Sequence, residues 1–142
     1  MAAEMSRKKK LGIALLVVAL ALPLFMASNW GLGMLEDFAL SHAPADWAAS
    51  LDLKVAAFYG ASLRADKQKE VYENFVATFT QHPKRGYAAY RSATCVERQV
   101  GLTDSHSIAA YQEFIDKYGD DPNSTEYVEE ALKAIKHLQT KY

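Results

Sequence analysis

The polar–apolar pattern opens with a long uncharged block. It runs from Leu11 through Leu35, begins LGIALLVVALALPLFM, and ends before Glu36. A membrane helix needs about 20 apolar residues to cross a hydrocarbon core of roughly 30 Å, and it satisfies its own backbone there. Residues 11–35 are therefore expected to form a transmembrane signal anchor in contact with the lipid bilayer. Pro23 interrupts the run, which membrane helices tolerate as a kink. Trp30 falls where an interfacial aromatic sits. A cleaved signal peptide shares this layout and is the alternative. Cleavage after Ala27 would put bulky Phe25 three residues before the cut, where a small residue is wanted.

Beyond the block, apolar residues recur at three- and four-residue steps, the signature of amphipathic helices. Residues 36–43 are expected to be a linker and 44–142 an all-α domain of five segments. The first spans about 44–63, with Pro44 in its first turn and Trp47, Leu51, Val55 and Phe58 facing inward. The second spans about 66–81, with Val71, Tyr72, Phe75, Val76 and Phe79 inward, and ends before Pro83. The third covers about 84–100, with Tyr87, Tyr90, Ala93, Thr94 and Val96 inward. The fourth covers about 105–118, with Ile108, Tyr111, Phe114, Ile115 and Tyr118 inward and Gly119 as its cap. The fifth covers about 123–141, with Tyr127, Val128, Ala131, Leu132, Ile135 and Leu138 inward. No segment alternates as a strand does.

Two of these segments echo each other. VYENFVATFTQHP at 71–83 aligns with AYQEFIDKYGDDP at 110–122, at an offset of 39 residues. Tyr72 matches Tyr111, Phe75 matches Phe114, Val76 matches Ile115, Phe79 matches Tyr118 and Pro83 matches Pro122. A small residue, Ala93 or Ala131, stands in the helix after each copy. The pattern resembles the tetratricopeptide repeat family, whose antiparallel helix pairs recur about every 34 residues. Ala110, Phe114 and Pro122 stand at the family spacing. Val71, Phe75 and Pro83 do too, with Val in place of the small residue, and the phrase AYQEFIDKYGDDP is similar to repeats of bacterial envelope proteins. The resemblance covers about 66–142 and implies there a short stack of antiparallel helix pairs, following the N-terminal transmembrane helix that the apolar block predicts. The GLTDSHS loop takes up the excess over the family period. So short a stack buries little surface, and either the alanine-rich helix at 44–63 or a partner completes it.

Charge adds a direction. Net charge is −1, but Arg7, Lys8, Lys9 and Lys10 form a basic head, and beyond Lys10 stand 12 basic and 16 acidic residues. Basic residues flanking a span stay cytoplasmic. Residues 1–10 are thus expected in the cytoplasm and the domain on the far side, which the resemblance makes the periplasmic side of a bacterial inner membrane. A mildly acidic domain argues against a nucleic-acid partner.

Candidate chemistry is sparse. The single cysteine, Cys95, lies at an apolar position and is expected in the core. His42, His82, His106 and His137 are not paired at metal-ligand spacing, and solvated or capping roles are expected. The nucleotide-loop, zinc-protease and serine-hydrolase motifs are missing from the chain. The acidic loop GDDPNSTE at 119–126 lacks the alternating ligands of a calcium loop and reads as a helix cap. No catalytic, cofactor-binding or metal residue is assigned, and no cofactor is expected. Eight tyrosines lie mostly on the apolar stripes. Tyrosine also suits interfaces, so Tyr87, Tyr90 and Arg91, on the first helix of a pair, are the candidate protein-binding residues. The expected function is a non-catalytic, membrane-anchored interaction module. It would be an accessory or scaffold subunit of a larger complex of membrane or envelope proteins. The alternative is a soluble periplasmic adaptor released by signal cleavage.

Overall fold

A computed structural model describes residues 7–141. Among them are seven α-helices, one 3-10 turn and no strand. The chain divides into two units, one ending at Met34 and the other beginning at Leu35.

In the first unit, α1 spans Arg7–Ala27, with Pro23 inside it and no buried residue. At 1.5 Å per residue its 21 residues reach roughly 32 Å, enough to cross a bilayer core. Arg7 to Lys10 form its first turn. The expected anchor at 11–35 is not one helix, because α1 stops at Ala27 and α2 begins at Asn29 and runs to Ser41. Ser28 makes the break. Its hydroxyl donates to the Phe25 carbonyl (2.5 Å) and accepts from the Gly31 N–H (3.1 Å), an N-cap for the new helix. Residues 36–41, expected as linker, are the last turns of α2.

In the second unit, α3 spans Asp46–Ala61 and α4 spans Ala65–Thr78. Helix α5 spans Arg85–Val96 and α6 spans Asp104–Tyr118. A 3-10 turn at Pro122–Ser124 leads into α7, Thr125–Gln139. Each helix from α3 onward packs on its chain neighbours, and α5 also touches α7. Both α4 and α6 start 39 residues apart, at Ala65 and Asp104, so the sequence echo is also an echo of helix boundaries.

The core follows the expected stripes on α4 and α6. Val71, Tyr72, Phe75 and Phe79 are buried, as are Tyr111 and Phe114. Burying one such ring contributes about 2–3 kcal/mol. Ala93, Ala131, Ile135 and Leu138 pack against the Tyr111–Phe114 pair, and Cys95 is buried as expected.

Helix α3 differs. Its buried face is Ala48, Ala49, Asp52, Val55, Ala56 and Tyr59; of the residues expected inward only Val55 belongs to it, and Trp47, Leu51 and Phe58 do not. Three alanines let α4 approach closely, so the bulky Trp47 and Phe58 are left half exposed on the outside. Pro44 lies before the helix rather than in its first turn. Leu132 on α7, expected inward, is also exposed, because Ala131, Ile135 and Leu138 take the contact face. Helix α5 ends four residues early, and Gly101, at φ +87°, takes the left-handed backbone that suits glycine in the following turn.

Candidate functional site

The face opposite to the α4 contact builds the first candidate. On α3, Ser50, Leu53, Lys54 and Ala57 recur at three- and four-residue steps and therefore share one side. With Lys84, Tyr87 of α5 and Tyr127 of α7 they line a groove of about 340 Å³. Its floor is apolar and aromatic. Its rim carries Lys54 and Lys84, which form no ion pair among the described residues.

The sequence-predicted residues Tyr87, Tyr90 and Arg91 come together on α5, each half-buried. They are also structural. Tyr87 meets Tyr127 at 5.5 Å between ring centroids and Tyr72 edge-on at 6.3 Å. Tyr90 stacks on Tyr127 at 5.5 Å and touches Tyr111 and Phe114. The Tyr72 hydroxyl is pushed up to about 12, by burial first and by Tyr87 next, while the nearby Arg91 guanidinium pulls the other way. Of the three, Tyr87 alone lines the groove. Lys54, Lys84 and Tyr127 complete it, and sequence reasoning missed them.

A second groove, of about 220 Å³, lies between α4, α5 and α6. Four of the charges lining it are already paired, Lys69 with Glu73 and Lys117 with Glu113. It offers a partner less uncompensated charge than the first.

The remaining polar groups serve the fold. Gln68 is buried under Gly60, where a Cβ would lie 2.3 Å from its amide nitrogen. Its carbonyl oxygen accepts from Arg98 and from the Cys95 thiol. Burial pushes that thiol up, so it stays protonated and unreactive at neutral pH. His106 and Thr103 form a capping box at the start of α6. His82 accepts from the Lys84 N–H, and Asp121 caps the 3-10 turn through the Asn123 N–H. Among the described residues no three His, Cys, Asp or Glu side chains converge as metal ligands.

One group has no such role. Asp52 is fully buried on α3, and neither carboxylate oxygen has a partner. Burial, then the nearby Glu36 carboxylate, pushes it up to about 7. Glu36 accepts from Asn74 at 2.8 Å, and burial raises its own carboxyl too. No family model, curated protein or solved structure matches this chain.

Proposed function

We propose that this chain is a membrane-anchored, non-catalytic protein-interaction module, an accessory or scaffold subunit of a larger membrane complex. The observation that carries it is the groove shared by α3, α5 and α7, with an aromatic floor and two unpaired lysines at its rim. Read as tetratricopeptide-like pairs, α4 and α6 are equivalent second helices, and α3, α5 and α7 are the first helices that line one side. Its occupant is a segment of a membrane or envelope protein bearing apolar and acidic side chains. A groove of about 340 Å³ takes only a few side chains, so the contact is weak by itself. Sharing a membrane raises effective concentration and compensates. Arg7 to Lys10 hold the N-terminus in the cytoplasm, and the domain stands on the periplasmic side of a bacterial inner membrane.

The test is co-purification of the full chain from native membranes, alongside a Lys54→Glu, Lys84→Glu double variant. The unaltered chain carries a reproducible partner set. The double variant loses it by about tenfold or more, equivalent to roughly 1.4 kcal/mol, with unchanged helical content. Migration as a lone 15.8 kDa chain with nothing attached would sink the proposal. The helix break at Ser28 favours one second reading, a soluble periplasmic adaptor released by cleavage there. N-terminal sequencing separates the two, since a mature start near Ser28 removes the anchor.

A further inference from the structure

From Leu35 onward, the residues of α2 belong to the second unit. Three of them hold the helix there. The Glu36 carboxylate accepts from the Asn74 amide of α4 at 2.8 Å. The half-exposed ring of Phe38 lies 5.8 Å from the half-exposed Trp47 of α3, and Ala39 is fully buried. Asp52 stands on the buried face of α3, and both of its oxygens lack a partner. The charge that acts on it comes from α2 and has the same sign, the Glu36 carboxylate.

The other charges around the pair do not relieve it. Glu36 feels Asp37 on its own helix and Glu70 and Lys67 on α4. Tyr59, on the same face of α3 as Asp52, feels Glu36, Glu70, Lys67 and Arg64. Lys67 is bonded to Glu70 at 2.9 Å, and the Arg64 guanidinium lies over the Tyr59 ring at 4.8 Å. Among the described residues no cation pairs with Asp52.

A negative charge on Asp52 is therefore stripped of water and faces a second carboxylate, which together favour the protonated form. The chain can relieve such a charge by keeping the proton or by letting water in. Opening the α3–α4 contact breaks the main core, where Val71, Tyr72 and Phe75 of α4 are buried. Opening the α2 contact gives up one alanine, one half-exposed ring and one hydrogen bond. Segments with few buried apolar contacts open first.

We propose that Asp52 and Glu36 form a proton-operated latch for the end of α2. With a proton on Asp52, residues 35–41 stay seated on α3 and α4. When the proton leaves, the two carboxylates part and those residues come away from the domain. The latch works whichever partner the groove takes. Seated, Asp52 titrates at about 7; released into water it returns toward 3.9. Between those values release of α2 also releases a proton. Release therefore becomes easier by up to about tenfold per pH unit and levels off above about 7.

Hydrogen exchange of the full chain in detergent, corrected for the intrinsic rate at each pH, tests this. Protection of residues 35–41 is expected to fall at least about tenfold from pH 5 to pH 7 and little further by pH 8, with α6 and α7 unchanged. Asp52→Asn holds the helix seated and makes its protection independent of pH. Glu36→Gln keeps the bond to Asn74 but removes the like charge, so the fall levels off at lower pH. The unaltered chain and Glu36→Gln decide the matter even where Asp52→Asn does not fold. Protection of residues 35–41 that is constant with pH, or already missing at pH 5, overturns the latch. So does a fall shared equally by all helices, which makes the charge a load on the whole domain. A fall that persists unchanged in Asp52→Asn overturns it as well.

Discussion

At the scale of single residues, Asp52 carries an electrostatic cost that the fold does not offset with a hydrogen bond. Its carboxyl is buried without a partner and pushed up to about 7, whereas in the unfolded chain it titrates near 3.9. Between those values the folded state keeps a proton that the unfolded state releases. This contribution therefore lowers stability as pH rises from about 4, and the full penalty is present above about 7. The raised carboxyl of Glu36 acts in the same direction. Asp52→Asn removes the penalty and keeps the shape. It is expected to stabilise the chain at pH 8 by on the order of 2–4 kcal/mol and to change little at pH 4. Denaturant midpoints of the full chain in detergent, compared at the two pH values, measure this. A variant no more stable at pH 8 than the unaltered chain would show that the carboxylate is compensated. Asp52 was hidden in the sequence because bulky Trp47 and Phe58 mark a different face of α3. Size points to those two rings as core, whereas three alanines decide which face the neighbouring helix can approach.

At the scale of elements, the repeat divides the domain into equivalent pieces. Phe75 of α4 and Phe114 of α6 occupy matching positions, and both are buried. Truncating either to Ala is expected to cost about 3–5 kcal/mol. Their consequences differ in place, because stacked helix pairs hold mainly to neighbours. Phe114→Ala should lower hydrogen-exchange protection in α6 and α7 more than in α3 and α4. Phe75→Ala should lower it in α3, α4 and α5 first. Equal loss throughout after either change would mean that the five helices open as one unit. These elements were legible because α4 and α6 carry large aromatics at helical spacing, which leave one choice of inner face. The ends were less so. The expected linker at 36–43 becomes helix because Ser28 caps a new start, a local hydrogen bond that hydropathy does not register.

At the scale of the whole chain, the proposed reading has the basic head and the apolar helix set a direction across the membrane. Replacing Arg7, Lys8, Lys9 and Lys10 with Gln removes the charge asymmetry beside the span. A C-terminal reporter enzyme that works only outside the cytoplasm is expected to lose most of its activity, with expression unchanged. Retained activity would show that the four charges do not orient the chain. The candidate groove belongs to this scale as well. Tyr87 was legible as a half-buried aromatic on a first helix, but its neighbours Ser50, Lys54 and Tyr127 were not. They lie 30 to 40 residues away along the chain, and no periodicity links them. The sequence by itself determined what local physics controls: the length of the apolar helix, the helical character of the rest, the 39-residue echo and the charge asymmetry. Only the tertiary structure decided which side of α3 faces in, that Asp52 is sealed there, that Phe38 and Trp47 meet in the open, and that α3, α5 and α7 share a groove. Those depend on how closely separate helices can approach, and small residues set that distance without leaving a hydrophobic signal.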